Sequence, residues 1–419
     1  MALSVDFEKG VVFPDYDALC ISNIPSSILS IFGAEEGRTR LPRRAWGDVD
    51  TEGIDKVVLF VFDGLGYREW QRHEDGIIGL FAERGHVGPV TTVFPSTTAA
   101  ALTTLATGLT PQEHSLVEWY VYMKELGITI ETLPFSPMGG RGRDELMAIA
   151  NPRILFTGET VYPRLKRRGV ASYAFLPRGI ARSGYSSTVH DGSKIVPYIS
   201  SSDLCATLRR SLNTVEGPAY FYVYWSMIDT MEHAYGPNSE EARLETASIS
   251  RALADGLFKG PPAADSKTLV LATADHGQVY SPMERALMLN RYRKLVRNLA
   301  SDERREKILP WGAPRDVYLS LVEEKVDEVV AYLRQALGRA ATVLKTSDAV
   351  SAGLFGRGSP SRAFQRRVGN VMVLPTGTGS IWYRFPGVRT PEVVGLHGGL
   401  HPDEMRVPFA AARASSMSC

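Results

Sequence analysis

FPSTTAAALTTLATG, residues 94–108, reads as the end of a strand, a tight turn, and then a helix whose first turn carries bare hydroxyls. Ser96, Thr97 and Thr98 stand where an N-cap belongs, after Pro95 and before a run of Ala and Leu that favours helix. The unpaired N–H groups of a first turn and the positive end of the helix dipole favour an oxyanion or a phosphate there, by about 0.3–1 kcal/mol. Ser and Thr also cap buried helices with no such role. The strands around the stretch decide between the two.

Upstream, KVVLFVF (residues 56–62) is a continuous apolar, β-branched run that ends at Asp63-Gly64-Leu65-Gly66. Such a run suits a central strand buried on both faces, and ligands in open α/β sheets gather at the carboxyl ends of strands. The glycines do not complete a dinucleotide fingerprint, because Glu69 stands at the third position. Residues 87–94 give the next strand. Downstream, residues 139–143 read as a flexible loop, 160–168 as a short helix and 170–176 as a strand. PAYFYVYW (218–225) is strongly β-prone and leads into SMIDTMEHAYGP, which sets Asp229 just past a strand end. KTLVLA (267–272) runs into Thr273-Ala274-Asp275-His276-Gly277. Strands interleaved with helical segments predict an α/β fold with a largely parallel central sheet.

Residues 1–50 show turn chemistry and weak periodicity and are expected to form an arm packed on the core. Residues 280–369 shift towards Arg, Lys, Glu and Leu and include an amphipathic helix over 323–337, so they read as a cap or insertion. Residues 370–385 return to strand pattern around a Gly-rich turn. The core domain is therefore expected to comprise 51–279 and 370–419.

A chain of 419 residues with a net charge of +1 can bury a large core and offers no general surface for a nucleic-acid polymer or an anionic membrane. No segment approaches the roughly 20 apolar residues of a membrane span, and the first residues lack a basic and then apolar leader pattern. Cys20, Cys205 and Cys419 are widely separated and form neither a disulfide framework nor a metal-type pair. A cytoplasmic protein is the expectation.

Asp63, Asp229, His233, Asp275, His276 and His397 are carboxylates and imidazoles, the donors that borderline and hard divalent cations prefer. Three of the eight histidines, His233, His276 and His397, sit in Glu-His, Asp-His and Leu-His-Gly-Gly settings at or just past expected strand ends. Asp229 and His233, four apart, share one face if their segment opens a helix.

With FVFDGLG, FPSTTAAALTTLATGLTPQEHS, IDTMEHAYGP, TADHG and LHGGLHPDEM in this order, the chain resembles the alkaline phosphatase superfamily. The type I phosphodiesterase/nucleotide pyrophosphatase family is the nearest branch. The resemblance implies an alkaline-phosphatase-like three-layer sandwich with a mixed sheet and two divalent metal ions, zinc or alternatively manganese or another divalent metal. It implies one ligand set of Asp63, Asp275, His276 and the nucleophile, and another of Asp229, His233 and His397. The family's nucleophile lies nine residues before the Thr of a following Thr-Gly; counting back from Thr107 gives Thr98, with Thr97 as the fallback. Where the family carries a phosphoryl-binding Asn, this chain has Trp119 beside Glu118, with Arg178 and Arg141 as candidate replacements and Trp119, Tyr120 and Tyr122 as candidate stacking groups. His401 lies near His397 but is not at the matching position.

The implied activity is hydrolysis of phosphodiester or nucleotide pyrophosphate bonds through a phosphothreonine, on a small phosphate ester or nucleotide. A phosphomonoesterase, a phosphonate hydrolase and a non-catalytic phospho-ligand binder are the alternatives. A sulfatase is excluded: Pro360 and Arg362 fit its motif, but Gly358 occupies the position of the residue to be oxidised.

Overall fold

The computed structural model describes residues 10–35, 37–259 and 267–417. The leader reading of residues 1–9 and the terminal Cys419 lie outside the described residues. Cys20 and Cys205 are buried free thiols.

The central sheet has seven strands in the order His86–Thr91, Arg406–Arg413, Thr268–Thr273, Lys56–Phe62, Ala219–Trp225, Ala171–Pro177, Lys194–Tyr198. All run parallel except Arg406–Arg413, which is antiparallel to both neighbours. The three middle strands carry side chains such as Val57, Leu59, Val61, Phe221 and Leu271 at 0–1% exposure, the signature of a sheet covered on both faces. The core continues into the helices Gly76–Arg84, Ser201–Thr214 and Glu240–Leu257.

This order brings the expected chemistry together. Thr268–Thr273, Lys56–Phe62 and Ala219–Trp225 are adjacent and parallel, so Asp275, Asp63 and Asp229 leave one edge of the sheet side by side. Because Arg406–Arg413 runs the other way, its preceding loop, with His397, arrives at that same edge.

A smaller four-stranded sheet is ordered Trp311–Ala313, Asp316–Leu319, Val371–Pro375, Ala341–Lys345, with the Val326–Leu337 helix packed on it. Here the sequence expectation needs correction. Val371–Pro375 does not return to the central sheet at residue 370 but pairs with strands of the cap on both sides. Ile381–Trp382 likewise pairs with Leu287–Met288. A buried apolar run announces a strand without naming its sheet.

The Thr98–Thr107 helix is fixed at both ends. Thr97 is its N-cap, and Gly108 closes it at φ 70°. Beyond it, His114 is buried: its Nδ1 accepts from the Leu116 N–H at 3.1 Å, so Nε2–H faces the Thr104 hydroxyl at 3.0 Å. Burial pushes this imidazole down to about 3. The unfolded chain therefore binds a proton that the native state refuses between that value and the free value of about 6.5. Stability is present above the free value and is lost as pH falls, by about 1.4 kcal/mol per pH unit for this one group. Urea unfolding between pH 4 and 6 is expected to show His114→Gln with a pH slope shallower than wild type by about that amount.

Candidate metal centre and nucleophile

Asp63 follows directly from its strand, with its N–H on the Trp225 carbonyl at 2.9 Å. Gly64 then turns at φ 80°, where a Cβ would stand 2.9 Å from the Asp229 Cα. A side chain at 64 would push away the Met227–Tyr235 helix that carries Asp229 and His233. The backbone N–H of Asp229 closes the approach on the Asp63 carbonyl at 3.1 Å.

The adjacent hydroxyls divide their work. Ser96 Oγ donates to the Gly399 carbonyl at 2.8 Å and accepts from the Gly398 N–H at 3.2 Å, so it clamps the His397 loop. Thr97 Oγ1 accepts from the Ala100 N–H at 3.5 Å, as a helix cap, and donates to the Val117 carbonyl. Thr98 Oγ1 alone faces the acidic strand ends, 3.0 Å from His276 Nε2. Thr98 Oγ1 therefore adjoins the acidic cluster, whereas the Thr97 hydroxyl is engaged by backbone groups.

Around Thr98 the buried donors converge. His276 Nε2 lies 3.5 Å from Asp63 Oδ1 and 3.4 Å from Asp275 Oδ2. Both of those carboxylate oxygens are buried and lack a hydrogen-bond partner. Their sister oxygens are occupied: Tyr224 O–H donates to Asp63 Oδ2, while the Gly64 and His276 N–H groups donate to Asp275 Oδ1 at 3.1 and 2.9 Å. Burial, then the charges of Asp275 and Asp229, hold the Asp63 carboxyl well above its usual range. Two orphaned oxygens and a ring nitrogen within 4.8 Å of one another, with a hydroxyl 3.0 Å from that nitrogen, are a donor set that suits a tetrahedral cation site.

The second group lies alongside. Asp229 Oδ1 is 3.4 Å from His233 Nε2 and 3.9 Å from His397 Nε2. Asp229, His276 and His397 offer donor atoms within 4.8 Å of one another, as do Asp63, Asp275 and His276, so His276 stands between the groups. Its ring stacks on His397 at 3.6 Å. Burial, then the neighbouring His276 and His233, push the His397 imidazole well below its usual value.

All three imidazoles are oriented alike. Nδ1 of His233 meets the Gly395 carbonyl at 2.7 Å, that of His397 the Ser96 carbonyl at 3.1 Å, and that of His276 the Gly277 carbonyl at 3.2 Å. A carbonyl only accepts, so each Nδ1 carries the proton and each Nε2 presents a lone pair to the centre. Oriented imidazoles of this kind are typical of metal ligands.

Sequence reading missed three supports. Tyr224 lies in a β-prone run and looked like core; Gln278 donates to Asp229 Oδ1. Arg315 in the cap forms a bidentate pair with Glu404 at 2.9 and 2.6 Å, both side chains at most 1% exposed, and Glu404 also accepts from the Gly399 N–H at 2.9 Å. Cap and His397 loop are thereby joined. Other candidates fall away: Arg141 and Arg178 are exposed and do not line the cavity in front of Thr98. His401 Nδ1 caps the Pro402–Met405 helix at the Asp403 N–H, and Tyr122 packs on Trp311 at 5.9 Å between ring centres.

The family model for type I phosphodiesterase/nucleotide pyrophosphatase matches residues 57–400, a range that includes Asp63, Thr98, Asp229, His233, Asp275, His276 and His397. The chain belongs to this family. It is accordingly a hydrolase of the phosphodiesterase/pyrophosphatase type within the alkaline phosphatase superfamily. Solved structures similar to it include murine ectonucleotide pyrophosphatase/phosphodiesterase 5, with a TM-score of 0.64 and 20% identity over 85% of this chain and 88% of that one. An inactive threonine-to-alanine form of that murine protein, in complex with AMP, matches with a TM-score of 0.64 and 19% identity over the same shares. The human counterpart gives 0.61 and 20% over 85% and 87%. These likenesses establish an alkaline-phosphatase-like fold with a mixed, mostly parallel sheet between helical layers. No curated protein sequence matches the chain significantly.

Proposed function

We propose that the chain hydrolyses phosphoric esters, phosphodiesters or nucleotide pyrophosphates, through a phosphothreonine on Thr98 with two divalent cations. The observation that carries this reading is the convergence of Asp63 Oδ1 and Asp275 Oδ2 on His276 Nε2, which lies 3.0 Å from the Thr98 hydroxyl. Asp63, Asp275, His276 and Thr98 would hold one cation, and Asp229, His233 and His397 the other; oxygen and imidazole donors suit zinc, with manganese as an alternative. Such cations supply Lewis acidity to the attacking and leaving oxygens.

The chain's own residues do the rest. Thr98 stands in the first turn of its helix, where free N–H groups and the dipole favour a non-bridging phosphoryl oxygen. Its Oγ1 gives up its proton to solvent and attacks phosphorus in line; the bond to the leaving oxygen breaks, and that oxygen takes a proton from solvent. Water then attacks the phosphothreonine from the vacated side, releasing the phosphorylated product and restoring the hydroxyl. The Nδ1–H bonds to Gly395, Ser96 and Gly277 hold the imidazoles still through both steps. That a murine structural neighbour carries AMP in an inactive threonine-to-alanine form supports both the residue type and a nucleotide as one ligand class.

The test is a screen of purified, metal-supplemented protein on mono-, di- and pyrophosphate esters, with acid-quenched protein examined for phosphate on Thr98. Diester or pyrophosphate turnover with a labelled Thr98 is the expected result. Preference for monoesters would move the assignment to a phosphomonoesterase; bound metal without any hydrolysis would make the chain a binder.

A further inference from the structure

In front of Thr98, Asp229, His233 and His397 opens a cavity of about 530 Å³ between core and cap. Its lining is rich in aromatic side chains: Trp119, Tyr120, Trp311, Trp382, Tyr383 and Phe385. Trp119 occupies the position at which the sequence resemblance expects a phosphoryl-binding amide, so a polar donor is exchanged for an indole.

The charges on this lining are as telling as its rings. Among the described lining residues no lysine is present, and Arg389 is the one arginine. Arg389 is engaged by Glu392 at 2.9 Å, with both side chains 85% exposed, at the mouth rather than in the depth of the cavity. The remaining ionisable groups of the lining, beyond the two histidines and Asp229, are Glu118 and Tyr120 and Tyr383. Glu118 is fully buried beside Asp316, and burial pushes it up to about 7. A second phosphate lying along this lining would thus be desolvated with no cation to meet it, which is costly. A flat apolar group would stack on the rings and release water, each good aromatic contact contributing beyond its buried area.

We infer that this site selects esters of a single phosphate whose organic group is uncharged and aromatic or otherwise apolar, and discriminates against di- and triphosphates. The inference rests on the two-metal reading above and narrows its substrate class. Trp119 and Trp382 are specificity-determining residues, and the Arg389–Glu392 pair sets how little charge the mouth accepts.

A matched pair of substrates tests it: the phenyl ester of AMP and ATP share the nucleoside and the reacting phosphorus and differ in an apolar or a pyrophosphate leaving group. With zinc added, kcat/KM for the phenyl ester is expected to exceed that for ATP by about 100-fold, two stacked or desolvated contacts' worth. Glu392→Gln, which frees Arg389, is expected to narrow that gap several-fold. ATP turnover equal to or faster than the phenyl ester overturns the inference. A binding arm keeps the two readings apart. In Thr98→Ala protein, tryptophan fluorescence is titrated with monophenyl phenylphosphonate and with inorganic pyrophosphate. The phosphonate is expected to bind at least about 10-fold more tightly, and Trp382→Ala to remove that preference. If neither ester is hydrolysed, the catalytic reading fails, while this arm still decides the pocket: tighter pyrophosphate binding overturns the inference by itself.

Discussion

Thr98→Ala is expected to lose turnover of an aryl phosphodiester by roughly 10³-fold or more, because the reacting oxygen itself is removed. Thr98→Ser should keep a measurable fraction, since it retains an oxygen at the same point. Metal content should be nearly unchanged in the alanine variant, because Asp63 Oδ1, Asp275 Oδ2 and His276 Nε2 keep their places around the site. Thr97→Ala is the control. It removes a cap hydroxyl, which costs about 1 kcal/mol of stability, and its turnover is expected within a few-fold of wild type. Steady-state rates, metal analysis and urea unfolding on the same preparations separate these outcomes. An inactive Thr97→Ala beside an active Thr98→Ala would transfer the nucleophile to the neighbouring residue.

Thr98 is proposed from two signals: a local one, the helix start after Pro95, and the spacing to Thr107 that the family resemblance supplies. That the carboxylates meet was legible for a related reason. Each stands at the end of an apolar run, and three such runs that are neighbours in a parallel sheet must deliver their ends together. What stayed hidden depends on long-range register. Ser96 looked like one cap candidate among three, yet its partners lie 302 and 303 residues away in the His397 loop. Tyr224 looked like one more core aromatic until its strand paired with Lys56–Phe62 and turned its hydroxyl onto Asp63. The strand at 371–375 was visible, but apolar content does not say which sheet a strand joins. Its partners are cap strands, so the chain returns to the active edge only with Gly395–Leu396 and the His397 loop.

Metal removal is the second large effect. A chelator is expected to abolish turnover and to lower the melting temperature by several degrees, with both restored by added zinc. Without a cation, Asp63 and Asp275 keep buried oxygens that nothing satisfies, beside the partly buried Asp229. A cation that binds only the folded chain stabilises it by about 2.7 kcal/mol at 100 times its dissociation constant. Thermal melts with chelator, and after metal is returned, read this directly. An unchanged melting temperature with activity intact would leave the clustered carboxylates without an explanation.

The central claim is that Asp63, Asp229, His233, Asp275, His276 and His397 enclose a pair of cations with Thr98 against one of them. Anomalous diffraction from crystals grown with zinc tests it most directly. The account predicts two peaks about 3.5–4 Å apart, one among Asp63, Asp275, His276 and Thr98, the other among Asp229, His233 and His397. Fully liganded crystals with no anomalous density at either group would contradict it.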